Sequence, residues 1–291
     1  MSNEIAALPS VFWFVAIALF GLVIGSFLNV VIHRLPRGES IVLPASHCGA
    51  CNTPIKTYDN LPLLSYILLG GRCRSCRKPI SLRYPAVEAL TALLFVAAYV
   101  ARGTIGLAFV FDCIFIALII PLVFIDADRQ ILPAKITHPG LLFALVARIF
   151  APNLFGMSPD RFGAAYMLGL ADGPDWYVSL VGAAAGGLLG GGGLFLIGLL
   201  YEIIRKEEGL GLGDVSMMCF VGAYLGWELT LVTVMLGSLI GSLIGIGLML
   251  MKGRTLKLKL PFGVFLGAGA VTSLLVGTRL ILWYTSFFFR R

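Results

Sequence analysis

The sequence predicts an all-α polytopic membrane protein of about eight transmembrane helices, with a small cysteine-bearing insert between helices 1 and 2. Three observations carry that prediction. Hydrophobic residues fill 58% of the 291 positions and charged residues only 13%, and mean hydropathy is +0.94, far from the balance of a soluble domain. Apolar segments recur at about the 20-residue length that crosses hydrocarbon. A single polar stretch, 34–84, interrupts them and holds four of the six cysteines.

The first apolar run, 11–31, has no lysine or arginine before it and is long enough to span, so residues 1–33 read as a retained transmembrane helix rather than a cleaved signal peptide. Residues 34–84 form a separate small domain, and 85–291 form a seven-helix membrane domain. Within the latter the spans fall at about 85–101, 104–125, 137–151, 177–201, 213–227, 229–251 and 262–286, each near the ~20 residues required. The fourth and sixth of the eight are short, which predicts tilted, broken or partly re-entrant helices. The glycine run at 186–193 lies mid-span without a lysine, which suits close helix packing rather than a phosphate loop.

Orientation follows from the 22 lysines and arginines. Sixteen of them lie in 34–83 and in the connections at 126–136, 202–214 and 252–260. The positive-inside bias places those sixteen in the cytoplasm, with both termini and the acidic loop around Asp160, Asp172 and Asp175 outside. Arg290 and Arg291 run against this rule. The net charge of +7 therefore reports orientation across the lipid bilayer, and no nucleic-acid partner follows from it.

Cys48 and Cys51 form one C-x-x-C pair and Cys73 and Cys76 another, with 21 residues between them. Two such knuckles supply four thiolates for a tetrahedral structural Zn²⁺, with no open position for catalysis. Two disulfides or free thiols are the alternative, and disulfides are disfavoured in a reducing cytoplasm. A short polar domain with few large apolar groups needs such a staple. Cys113 and Cys219 lie inside apolar segments and read as packing residues.

Two aspartates stand at membrane edges, where an ionised carboxylate is costly. Asp126 ends the third span in FIDADRQILP, and Asp214 opens the sixth in GLGLGDVSMM. The topology puts both at the cytoplasmic face. If a bundle brings them together, two poorly solvated carboxylates share a proton, and one serves as base on water while the other acts as acid toward a carbonyl. The structural alternatives are a helix N-cap for Asp214 and an ion pair with Arg129 for Asp126. Asp128 points to a different helix face from Asp126, so only one of the two enters a dyad. Gly211 and Gly213 let the chain turn tightly and leave room for an extended substrate beside Asp214. Glu88 and Asp112 read as buried hydrogen-bonding groups, and Glu202, Glu207 and Glu208 as a charged entry that attracts a basic peptide or is simply solvated.

Several ordered motifs now add up. GSFLNVVIHRLP (25–36), the paired knuckles, DNLPLLSY (59–66), GRCRSC (71–76), RYPAVEALTALLF (83–95), IDADRQILP, GLGLGD and PFGVFLGAGA (261–270) together resemble the bacterial type IV prepilin peptidases over nearly the whole chain. The resemblance implies a multi-pass enzyme of the bacterial inner membrane. Its activity would be that of an aspartic endopeptidase, cutting the leader of prepilins and pseudopilins after a glycine at the cytoplasmic face. The family's essential aspartates match Asp126 and Asp214, with Asp128 a neighbour tuning their charge. Many members also methylate the new N-terminus with S-adenosylmethionine. No glycine-rich methyltransferase fold is visible here, so that cofactor's binding residues are unassigned. The chain departs from the family at Ser216, where a lysine is customary, and at Ala134, where an acidic residue often follows Leu-Pro. The rival readings are a proton- or cation-coupled transporter using the same carboxylates and a zinc-stabilised scaffold without catalysis.

Overall fold

The computed structural model describes residues 10–152, 154, 167–170, 172–206, 210–252 and 260–288. Asp160, Glu207, Glu208, Arg290 and Arg291 lie outside them, as do the basic residues at 254, 257 and 259. The described residues are helical, apart from loops and two isolated bridges, His47 with Pro54 and Arg72 with Pro79. The helices are α1 Ser10–Arg34, the short α2 Leu64–Leu68, α3 Arg83–Arg102, α4 Leu107–Arg129, α5 Ala134–Phe150, α6 Asp175–Gly187, α7 Gly193–Arg205, α8 Leu212–Leu225, α9 Trp227–Lys252, α10 Phe262–Thr272 and α11 Thr278–Phe288. A π-helical turn, Leu188–Gly192, joins α6 to α7, and another, Ser273–Gly277, joins α10 to α11. All eight apolar segments are therefore helices.

Six helical stretches are long and apolar enough to cross a membrane: Val11–Arg37, Arg83–Arg102, Leu107–Arg129, Asp175–Arg205, Trp227–Met251 and Phe262–Phe287. The fourth and sixth segments are the short ones. α5 has 17 residues and α8 has 14, about 25 and 21 Å at ~1.5 Å per residue. α8 tolerates its shortness because protein surrounds it. Met217, Met218 and every residue from Phe220 to Leu225 are buried.

The chain divides into two units, Met1–Ile105 with Cys113–Pro121 and Gly106–Asp112 with Leu122–Arg291. In the first, α1 crosses α3 at two glycines. A Cβ at Gly21 would lie 2.6 Å from Ala92 Cα, and one at Gly25 would lie 2.7 Å from Glu88 Cα. Small residues allow this backbone approach, which dispersion then rewards in lipid. The Asn29 amide, at the far end of α1, donates to the Tyr84 carbonyl at 3.0 Å and fixes the two helix ends.

In the second unit α8 packs against α5, α6 and α9. Gly222 of α8 meets Gly186 of α6 backbone to backbone, and Gly187, Gly190 and Gly191 continue the contact along α8. A Cβ at Gly192 or Gly193 would meet no neighbouring atom within 4 Å. Packing thus explains the first part of the glycine run, and the π turn ends it. At the other end of α8, Gly226 takes φ +83°, and the Arg148 guanidinium passes 2.6 Å from where its Cβ would be. Arg148 is 2% exposed and donates to the Ala223 carbonyl at 3.3 Å. The Tyr224 hydroxyl donates to Asp112 at 2.8 Å, so Asp112 is the buried hydrogen-bonding group expected of it.

The two halves of the glycine run differ in a way thermal unfolding in detergent can measure. Gly222→Val places a side chain against the Gly186 backbone and is expected to lose at least 1–3 kcal/mol, about the cost of overpacking. Gly192→Ala, in open space, is expected to be neutral or to stabilise by about 0.5 kcal/mol.

Candidate active site and metal centre

The insert is built from two matching knuckles. Cys48 N–H donates to the Thr53 carbonyl at 3.0 Å, and Cys73 N–H donates to the Lys78 carbonyl at 2.9 Å. Four residues after each of these cysteines the chain turns through the left-handed region, at Asn52 (φ 53°) and Arg77 (φ 57°), whose N–H groups return to the Cys48 and Cys73 carbonyls. The turns aim the thiols at one point. The four Sγ atoms of Cys48, Cys51, Cys73 and Cys76 lie within 4.8 Å of one another, and Cys48 and Cys76 are 3.9 Å apart. A tetrahedron with metal–sulfur bonds of about 2.3 Å has edges of about 3.8 Å, so the cluster can hold a metal ion. No disulfide links them.

The thiols are not equivalent. Hydrogen bonding to the Thr53 side chain and backbone brings Cys51 down to about 6. For Cys76 the Lys78 backbone pulls downward, but loss of water and proton sharing with the other three thiols prevail and push it up to about 11.

Asp126 lies in the last turn of α4. The helix stops where Gln130 takes φ 54° and its N–H caps the Asp126 carbonyl at 2.8 Å. The side chain, 5% exposed, is turned inward, and its Oδ2 accepts the Val264 N–H at 3.1 Å. Val264 is the third residue of α10, so this carboxylate sits at a helix N-terminus, where free N–H groups and the helix dipole favour negative charge. Gly263 makes the approach possible, because a Cβ there would stand 2.9 Å from Asp126 Oδ2. Asp128 is exposed, as the difference in helix face requires.

Asp214 occupies the third position of α8, with Gly211 as N-cap and no side-chain capping bond. It is therefore in the first turn without acting as the cap. Its Oδ1 is buried and has no hydrogen-bond partner among the described residues. Leu132, in the link from α4 to α5, joins the two aspartate neighbourhoods. Its Cβ would meet a Cβ on Gly213 at 2.9 Å, and its Cδ1 would meet one on Gly263 at 3.0 Å. Leu132 thus lies between the glycine that precedes Asp214 and the glycine against Asp126 Oδ2.

One sequence expectation changes. Gly211 has φ −71° and neither it nor Gly213 is left-handed, so no tight turn demands glycine. The space beside Gly213 is filled by Leu132, and close approach is the reason for that glycine. Sequence reasoning also missed Gly263, Val264 and Leu132 as parts of this site. The signal for the first two was a Pro-Phe-Gly step opening an apolar helix; Leu132 carried none.

Residues 19–102 match the Bacterial Peptidase A24 N-terminal domain, and residues 113–246 match the Type IV leader peptidase family. The chain is 34% identical over 304 residues to the prepilin leader peptidase/N-methyltransferase of Aeromonas hydrophila, covering 95% of each protein. The chain belongs to the type IV leader peptidase family. Against the prepilin leader peptidase/N-methyltransferase of Pseudomonas aeruginosa it is 31% identical over 294 residues and 92% of each chain. For the one from Burkholderia pseudomallei strain 1026b the identity is 32%, over 94% of this chain and 88% of that one. No solved structure matches. Both family regions carry a site described above: the first contains the four cysteines and the second contains Asp126 and Asp214.

Alkylation tests the metal centre. With metal bound, all four cysteines are expected to resist brief iodoacetamide treatment, and chelation is expected to expose all four in the peptide map. Full reactivity in the metal-loaded protein would contradict a four-thiolate site.

Proposed function

We propose that this protein removes the leader of prepilins and pseudopilins by aspartic protease chemistry at Asp126 and Asp214, and methylates the new N-terminus. The observation that carries the peptidase reading is the pair itself. In a chain of this family, two carboxylates lie near helix N-termini at the ends of apolar segments, on either side of Leu132. The curated relatives are named for both activities. A transporter reading of the same carboxylates finds no support in them.

The surroundings divide the labour between the two. Asp126, holding a backbone N–H, stays the carboxylate and takes a proton from water. Asp214, whose Oδ1 has no donor, carries the pair's proton and gives it to the scissile carbonyl oxygen. Attack of the water oxygen forms a tetrahedral diol, and its collapse breaks the C–N bond as a proton passes to the leaving amine. Coupled carboxylates titrate as a pair, so these roles belong to the resting state. Ser216 bonds back to the Leu212 carbonyl at 3.0 Å, within its own helix, and brings no charge to replace the customary lysine.

By the distribution of basic residues, the dyad and the 34–84 insert face the cytoplasm across the inner membrane, and 85–291 is the peptidase body. The metal of the insert is Zn²⁺, which four thiolates hold as a closed structural site. It supplies folding energy to a domain with little core of its own, and no step of the cleavage is routed through it.

Asp126→Asn or Asp214→Asn is expected to reduce cleavage of a purified prepilin at least 1,000-fold, with insertion and metal content unchanged, whereas Asp128→Asn keeps most activity. Full cleavage by both dyad variants would refute the mechanism. Gly263→Ala pushes a methyl group against Asp126 Oδ2 and is expected to lower kcat at least tenfold with KM little changed, since it disturbs the base and not substrate binding.

A further inference from the structure

A cavity of about 680 Å³ lies wholly within the first unit, framed by the end of α1, the start of α3 and the insert. Its size falls in the roughly 300–1,000 Å³ range of small-molecule sites. Glu88, 8% exposed, lines it from α3. Its Oε2 accepts the N–H of Leu63 at 2.8 Å, and the Ser26 hydroxyl is its other partner. No cation pairs with it among the described residues. Leu63 also lines the cavity and holds φ 58°, ψ −47°, a strained conformation for a side-chain-bearing residue that the Glu88 bond helps to fix. Strain of this kind gathers where a ligand is gripped. Of the other acids in the lining, Asp59 is held by Arg74 through bonds of 2.6 and 2.8 Å, and Glu39 is exposed. Lys56 and Lys78 bring positive charge to the lining, and so does the buried Arg34, whose guanidinium donates to the Ser40 and Ala45 carbonyls. The cavity thus combines a buried, uncompensated carboxylate with a basic rim.

That polarity suits a ligand with a poorly solvated cation at one end and a carboxylate at the other. Resting on the methyltransferase reading, we propose that this cavity binds S-adenosylmethionine, with the sulfonium toward Glu88 and the amino-acid carboxylate toward Lys56 and Lys78. The bound donor supplies a methyl carbon: the lone pair of the neutral terminal amine forms the N–C bond, the C–S pair returns to sulfur to leave a neutral thioether, and the amine proton goes to water. Glu88 is a binding residue for positive charge. Glutamine at that position keeps an oxygen for the Leu63 N–H and removes only the charge.

The discriminating measurement is equilibrium binding to the full, metal-loaded chain in detergent, using S-adenosylmethionine and the neutral S-adenosylhomocysteine as separate probes. Glu88→Gln is expected to weaken the sulfonium at least tenfold and the thioether less than twofold, because only the former loses a charge partner. Equal weakening of both, or of neither, overturns the assignment. Direct ultraviolet crosslinking of tritiated S-adenosylmethionine to the wild-type chain needs no variant. Label in peptides from 26–88 is expected, and label confined to 126–132 or 211–226 overturns the proposal. A wild-type chain that transfers methyl groups but fails these tests loses only the site. A wild-type chain that neither binds the donor nor transfers methyl loses the methyltransferase reading with it.

Discussion

Two carboxylates must be kept out of water at the ends of apolar segments without being left wholly unsolvated, and much of the second unit follows from that constraint. The solution is a pair of helix N-termini. α10 offers the Val264 N–H to Asp126, so that carboxylate meets oriented peptide dipoles instead of water, and α8 carries Asp214 in its first turn. Bringing the two helix starts near each other requires Gly213 and Gly263, which leave no side chain between them and Leu132. α8 must then run through the middle of the unit, and its glycine contact with α6 and its buried face of Met217 to Leu225 hold it there.

The features legible in the sequence were those whose physics is local or compositional. Asp126 and Asp214 stood out because charge is rare in apolar segments, and the four cysteines because their spacing is a ligand pattern. The shortness of α5 and α8 was visible from run length. The parts that were not legible depend on tertiary contact. Leu132 is one apolar residue among many until two glycines are found against it. Gly263 needs glycine because of a carboxylate 137 positions earlier in the chain. Gly211 and Gly213 suggested a turn, and the backbone there is ordinary; only the packing partner explains Gly213. Leu63 gave no signal at all, since a left-handed leucine is fixed by Glu88 and not by its own preference.

On the proposed reading, the chain joins two chemistries through two differently built sites. Cleavage calls for a water-poor pair of acids on long helices, where packing controls geometry. The first unit uses another device. The insert and the ends of α1 and α3 frame a cavity that carries a buried glutamate among basic residues. On the proposed zinc reading, the four-thiolate cluster substitutes for a hydrophobic core the insert is too small to have.

The central claim is that Asp126 and Asp214 act as one catalytic unit and not as two independent helpers. Single-turnover cleavage by the Asp126→Asn/Asp214→Asn double variant, set against each single variant, tests it most directly. Residues that share one proton and one water lose their function together, so the double variant should be no slower than the slower single. A double variant whose rate loss equals the product of the two single losses would contradict the account.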